Sequence, residues 1–277
     1  MGTAIDVLLA LNPEFLLSRF GKISQRWVEH FPRQPPPRVL NNKVGMKISI
    51  ARAHWNVTER EKRLLMLAIS KIDYSEEQIQ QEWGGDGALL PFGTVVITAV
   101  EYTALVGCTM RDAYQDLKTA TNSLQSKVLT LVMGGIERKV NFTKAANYDR
   151  VAGLVEIEFN SEFLGFLTRF KSDGNRYVSY YLHEVKRFSL PQWRLFELLL
   201  SYHHSNAMIS MDDLKFVMGC GKWTTRDFRR DVLNPAIDGL SKNRMVQLEA
   251  LPVMRGPKIQ HFKFTRKPGK HRKSRQH

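Results

Sequence analysis

The stretch VITAVEYTALVGC (Val96 to Cys108) returns 112 positions later as MISMDDLKFVMGC (Met208 to Cys220). Ile97 matches Ile209, Thr98 matches Ser210, Glu101 matches Asp213, Leu105 matches Val217 and Gly107 matches Gly219. Self-similarity at a fixed offset marks a duplicated structural unit. Each copy opens with Ser or Thr followed three residues later by an acid, the capping-box pattern that starts a helix, and closes in a glycine that can end one. Each copy therefore predicts a short helix followed by a tight turn.

After the turn comes RDAYQDLKTATNSLQSK from Arg111 in the first copy and RDFRRDVLNPAIDGLSKN from Arg226 in the second, which carries three extra residues before it. Both predict a longer second helix. In the second, Phe228, Val232, Ala236 and Leu240 recur at helical spacing and should face the core. Pro235 lacks an amide hydrogen and would clash with the Asp231 carbonyl, so a kink or break is predicted just past the basic end of that helix. Upstream, EKRLLMLAIS (Glu61 to Ser70) matches QWRLFELLLS (Gln192 to Ser201), behind the capping boxes Thr58/Glu61 and Ser189/Gln192. Downstream, VLTLVMGGIERKVNF and MVQLEALPVMRGPKIQHFKF change to strand patterns around the turns Gly134-Gly135 and Gly256-Pro257.

Helix, short helix, turn, long helix and β-hairpin is the order of a winged helix-turn-helix. The expected fold is α+β, a tandem pair of winged helix-turn-helix domains, mainly helical with small β-hairpin wings. The expected organisation is an N-terminal appendage with a proline-rich linker (residues 1–44), a first domain (45–160), a second domain (161–265) and a basic, disordered tail (266–277).

Composition narrows the function. Lys and Arg (41) exceed Asp and Glu (27), giving a net charge of +14, a surplus that favours a polyanion partner. No apolar run reaches the roughly 18 residues of a membrane span, and Asp6 stands where a secretory signal needs basic charge, so a cytoplasmic, DNA-associated protein without a membrane partner is expected. Cys108 and Cys220 form no CxxC or Cys/His cluster, which argues against a metal and a disulfide framework. A DNA-nicking enzyme needs a His-x-His metal motif and a tyrosine nucleophile, but His203 and His204 are contiguous and Tyr180 and Tyr181 lack such a partner. No GxxxxGK[ST] loop is present to hold a nucleoside triphosphate. A binder without a cofactor is expected rather than an enzyme.

In a helix-turn-helix the second helix enters the major groove and shows its N-terminal residues to base edges. In the second copy that position holds Arg226, Arg229 and Arg230, with Lys222 in the preceding turn, and arginine can bridge guanine O6 and N7. The alternative is a solvated face paired with Asp227 and Asp231. The first copy offers the less basic set Arg111, Gln115 and Lys118; alternatively, this face packs against a partner or the other domain. Arg138 and Lys139 in the first wing, and Arg255 and Lys258 in the second, suit phosphate contacts or remain solvated. The tail RKPGKHRKSRQH holds six Lys or Arg and no acid, suited to salt-sensitive, sequence-independent affinity or to solubility alone.

From about Lys47 to Thr265 the sequence resembles the iteron-binding plasmid replication initiators with two winged-helix domains. The marks are VTEREKRLLMLAIS, ITAVEYTALVG, the joining tract NYDRVAGLVEIEFNSEF, WRLFELLL and FRRDVLNPAI, in that order. The resemblance implies monomers that bind direct repeats at an origin and help open an AT-rich neighbour, and dimers that repress the initiator's own gene through an inverted repeat. It implies a homodimer in equilibrium with monomer, host replication proteins and chaperones as further partners, and a first domain that also dimerises. By motif position it assigns base reading to Lys222, Thr225, Arg226, Arg229 and Arg230, assisted by Arg111, Gln115 and Lys118. A transcriptional repressor without an initiator role would use the same chemistry. DGLSKN departs from the acidic-Ile-Asn pattern often seen after VLNPAI, and Met46 offers an alternative start.

Overall fold

The computed structural model describes residues 39–72, 93–167, 177–202, 204–242 and 246–268. A 3-10 turn (Val39–Asn41) leads into β1 (Lys43–Lys47), α1 (Ile48–Ala51), β2 (His54–Trp55) and α2 (Glu59–Ile69). Then come β3 (Thr94–Thr98), α3 (Ala99–Val106), α4 (Met110–Leu124), β4 (Val128–Met133), β5 (Ile136–Asn141), β6 (Thr143–Asp149), β7 (Leu154–Phe159) and α5 (Ser161–Leu167). The second half continues with β8 (Tyr177–Tyr181), α6 (Leu182–Val185), α7 (Leu190–Leu200), β9 (Asn206–Ser210) and α8 (Met211–Val217). A composite helix α9 follows, made of Thr225–Phe228, a π-turn at Arg229–Leu233 and Asn234–Ser241, before β10 (Val246–Arg255) and β11 (Lys258–Pro268).

The duplicated unit is plain in three dimensions. In the first copy α2 packs on α3 and α4; in the second α7 packs on α8 and α9. Three of the four expected capping boxes form: Glu61 accepts from the Thr58 amide at 2.7 Å, Glu101 from the Thr98 amide at 2.9 Å, and Gln192 from the Ser189 amide at 3.0 Å. At the fourth, the shorter Asp213 accepts from the Ser210 hydroxyl (2.7 Å) instead, while that hydroxyl caps the Asp213 amide at 3.0 Å. Gly107 (φ 77°) and Gly219 (φ 72°) end α3 and α8 in the left-handed region. A Cβ on Gly107 would meet nothing within 4 Å, whereas one on Gly219 would lie 2.7 Å from Cε1 of His54. Gly107→Ala should therefore lose about 1 kcal/mol from backbone strain alone. Gly219→Ala should lose slightly more, about 1–2 kcal/mol, because the His54 ring must also shift; paired urea titrations would separate the two.

The wings are built differently. In the second copy β9 joins the wing directly, giving the sheet order β10-β11-β9. In the first copy β3 does not pair with the wing. The wing β4-β5 takes β2 at its other edge, and β3 pairs with β7 in a separate β3-β7-β6 sheet. The tract expected only to join the domains is thus a hairpin that completes the first, because Val155, Ile157 and Phe159 bury one face of β7 against its core.

Two expected boundaries differ from the structure. Val39 and Val44 are buried, and β1 pairs with β8 from Lys43↔Tyr181 to Lys47↔Tyr177, so core residues begin inside the stretch read as an appendage. A chain begun at Met46 would lose most of that pairing. At the other end β11 runs to Pro268, and half-buried Arg266 donates to the carbonyls of Tyr202 (2.8 Å) and His204 (3.1 Å). The rest of the expected tail, residues 269–277, the first 38 residues and His203 lie outside the described residues. Cys220 is buried and Cys108 half-buried, both as free thiols.

The two copies meet across a buried polar cluster. Lys62 on α2 places Nζ 2.8 and 3.0 Å from the two carboxylate oxygens of Glu197 on α7. Tyr180 on β8 donates to Glu197 at 2.6 Å and accepts from the Trp193 indole at 2.9 Å. Arg194 pairs with the same carboxylate and donates to the carbonyls of Ala51 (3.0 Å) and Ala53 (2.6 Å). The Lys62 ammonium sits 3.5 Å from the centre of the Trp55 ring. Arg52 extends the contact to Ser201 (2.9 Å), and His54 lies under Gly219. The short segment from Ile48 to Trp55 is therefore the hub on which the second copy docks.

Burial pulls Lys62 down to about 7, against the opposing pull of Glu197. Burial would raise the Glu197 carboxyl, but the charges of Lys62 and Arg194 outweigh it and hold the group below its ordinary value.

Candidate nucleic-acid interface

Helix α9 differs from its counterpart α4 by one residue, and that residue explains the π-turn. In α4 the buried apolar positions are Ala113, Leu117, Ala120 and Leu124; in α9 they are Phe228, Leu233, Ala236 and Leu240. The first step lengthens from four residues to five, and every later step is the same. An inserted residue in a helix is absorbed as a single π-turn, a feature frequent at functional sites. Here the Asn234 amide donates to the Arg229 carbonyl, an i to i−5 bond. Leu233, not Val232, fills the core position, which corrects the expectation of plain helical spacing through Val232. The irregularity falls within the arginine cluster rather than past it, and Leu233 and Asn234 keep helical dihedrals, so Pro235 follows a widened turn instead of a break.

The three arginines have different surroundings. Arg226 is exposed, and among the described residues no acid pairs with it. Arg230 is exposed but held: Nε lies 2.6 Å from Asp231 and a terminal nitrogen 3.2 Å from Asp227. Those hydrogen bonds raise Arg230 and lower Asp231 from their ordinary values. Arg229 is half-buried with its guanidinium 5.9 Å from the Phe262 ring on β11, and its Nε has no partner among the described residues. The structure thus separates a free cation, a cation in an exposed ion pair and a cation leaning on the wing.

The turn into α9 is tied down from α8. Thr224 caps the helix, its hydroxyl accepting from the Asp227 amide at 3.1 Å. Lys215 donates to the Trp223 carbonyl (2.9 Å) and to the Thr225 hydroxyl (3.2 Å). Thr225 is therefore half-buried and engaged, whereas Lys222 is exposed. Lys215 escaped the sequence reading because it looks like any solvated helix lysine; its partners lie across the turn.

On α4, Arg111, Gln115 and Lys118 are all exposed and, at spacings of four and three, share one face. The neighbouring acids are engaged elsewhere. The Asp112 carboxylate accepts from the Thr109 hydroxyl at 2.7 Å, and Asp116 pairs with Arg60 at 2.8 Å. At the second wing Arg255 and Lys258 are exposed and paired across the turn in register. In the first wing, by contrast, Arg138 pairs with Glu162 (2.9 Å) and Lys139 with Glu137 (3.5 Å).

No group of three or more metal-binding side chains occurs among the described residues, and none of their helices is long and apolar enough to cross a membrane. Tyr180 is spent on Glu197. Two helix-turn-helix units, each with a β-hairpin wing and an exposed polar face on its second helix, define a tandem winged-helix protein.

The comparisons with known proteins refine that class. A family model described as "Initiator Replication protein, WH1" matches residues 44–200, and one described as "Initiator Rep protein, WH2" matches 210–266. The chain belongs to this initiator replication protein family of DNA-binding plasmid replication initiators. Its fold is similar to that in the "Crystal structure of Pi initiator protein in complex with iteron DNA", with a TM-score of 0.66 and 18% identity over 82% of this chain and 97% of that one. It is more distantly similar to domains 2 and 3 of RctB, with a TM-score of 0.46 and 11% identity over 85% and 94% of the two chains. No curated protein matches the sequence.

Proposed function

We propose that the chain binds direct repeats of double-stranded DNA at a plasmid origin and promotes opening of an adjacent AT-rich segment, acting as a binder rather than an enzyme. The observation that carries this reading is the pair of exposed second helices, α4 and α9, in two copies that are docked through the buried Lys62–Glu197 contact between α2 and α7. Fixed docking presents two reading heads at one spacing. The site then spans about two helical turns, roughly 20 bp. The likeness of the fold to the Pi initiator, itself seen with iteron DNA, supports the same reading.

Base reading falls to Arg226 and Arg230, with Lys222, Thr225 and Arg229 at the helix entry and wing side, and with Arg111, Gln115 and Lys118 on the second head. Arg255 and Lys258 hold phosphates at the wing tip. Neighbouring repeats filled by successive molecules strain the duplex, and a deformable AT-rich tract yields first. As a dimer the same chain represses its own gene, and the origin complex recruits host replication proteins; sedimentation with and without repeat DNA tests the dimer. The site of action is cytoplasmic DNA.

Footprinting on the parent replicon at about 0.15 M salt, where charge-only binding is suppressed, is the direct test. Protection of tandem direct repeats of about two turns beside an AT-rich tract is expected. Protection of an inverted repeat at a promoter alone would make the chain a repressor and reject initiation. Protection over a single turn would remove α4 from the interface.

A further inference from the structure

The second copy carries three residues that the first lacks, Gly221, Lys222 and Trp223, placed between Cys220 and the Thr224 cap of α9. An indole in such a turn has two common uses, filling a gap in the core or meeting a partner. The core beneath the turn is already filled by Val217, Cys220 and Phe228, and Trp223 is 45% exposed. Its backbone, however, is fixed on both sides. The Trp223 amide donates to the Cys220 carbonyl at 2.9 Å, and its carbonyl accepts from Lys215 at 2.9 Å. Lys215 also reaches the Thr225 hydroxyl at 3.2 Å. A large, stiff apolar side chain is thus presented to solvent from an anchored turn, so little ordering is left to be done on binding.

The surroundings select the partner. Lys222 precedes Trp223 and Arg226 follows the cap, both exposed, so the ring lies in a positive field that draws phosphates and repels cationic surfaces. Duplex DNA is the partner that brings an apolar group together with phosphates, and in the major groove that group is the 5-methyl of thymine. We propose that Trp223 is a specificity-determining residue whose indole packs against a thymine methyl at the edge of the site read by α9. This rests on the reading of α9 as the DNA-facing helix. Lys215 is its positioning residue, acting through the turn without touching DNA.

Binding of the duplex selected by the wild-type chain, with each thymine replaced in turn by deoxyuridine, tests the assignment. One replacement should weaken the wild-type chain several-fold and leave Trp223→Ala unaffected. Trp223→Ala should itself bind the selected duplex about 10-fold more weakly, the order of one base contact, while its affinity for random duplex and its salt slope stay unchanged because no phosphate contact is lost. Trp223→Phe, which keeps a ring, should retain the methyl effect in part and serves if the alanine variant does not fold. Equal losses for wild type and variant at every deoxyuridine, or unchanged affinity in Trp223→Ala, would overturn the proposal while leaving α9 as the reading helix. A wild-type chain that selects no duplex over random DNA would overturn both.

Discussion

Replacing Glu197 by glutamine is expected to lower the unfolding free energy by about 3–5 kcal/mol, the size seen when one partner of a buried ion pair is removed. The reason is charge arithmetic in a closed space. Lys62 and Arg194 are both fully buried and share this one carboxylate. Glutamine leaves the Arg194 guanidinium buried with no anion and takes from Lys62 the only charge that favours its proton, so the lysine must give that proton up to stay buried. Lys62→Met should be far milder, within about 1 kcal/mol of wild type, because Glu197 keeps Arg194 and the Tyr180 hydroxyl and the cluster becomes neutral.

The same contrast fixes a pH dependence. An unfolded lysine holds its proton to about 10.4, whereas the folded Lys62 is pulled down to about 7 by burial. Between those values the unfolded chain binds more protons than the folded one, so the Lys62 contribution makes stability rise with pH from about 7 upward; below 7 its penalty is constant. The groups facing Lys62 are Glu197, Arg194 and Tyr180, and Tyr180 is raised well above 10 by burial and keeps its proton throughout the window. Urea midpoints at pH 7 and pH 9 should therefore differ less in Lys62→Met than in wild type. A variant as steep as wild type would remove Lys62 as the titrating group. Because Glu197 also docks the copies, Glu197→Gln should lose more affinity for a two-turn site than for either half alone.

Much of this architecture is legible in the sequence, for a local reason. Capping boxes such as Thr58/Glu61, terminating glycines and strand alternation act within a few residues, and a repeat carries them twice, so Gly107 and Gly219 are marked as helix ends by sequence alone. Contacts across long separations leave no such mark. Lys62 and Glu197 each sit in an apolar helix pattern where a charge reads as the solvent side, and only the partner 135 positions away makes burial tolerable. The β3–β7 pairing was hidden because a β-strand needs an open edge, not a neighbour in sequence. The π-turn was visible in principle: aligning the copies beyond Phe228 requires one extra residue, and Leu233 then falls in phase with Leu117. Assuming unbroken 3.6-residue periodicity put Val232 there instead. The ion pairs that occupy Arg138 and Arg230 likewise depend on side-chain reach that residue type alone does not reveal.

Those differences among cations set the second large effect. Arg226→Ala should weaken binding to the selected duplex roughly 10- to 100-fold, the loss of one bidentate guanine contact, and relax preference at one base pair. Arg226 has the advantage of being exposed and without an acidic partner among the described residues, so it reaches DNA without giving anything up. Arg230 must first leave Asp231 and Asp227, an exposed pair that holds it only weakly, so Arg230→Ala should lose less. Asp231→Asn leaves Arg230 with only the longer Asp227 contact and removes an anion from the groove face, and should strengthen binding to random duplex more than to the selected one. Arg111→Ala on the less basic head should fall below both. If Arg226→Ala instead lowered affinity for every duplex equally and flattened the salt slope by about one, Arg226 would be a phosphate clamp, and sequence reading would pass to Arg230 and the wing-side Arg229.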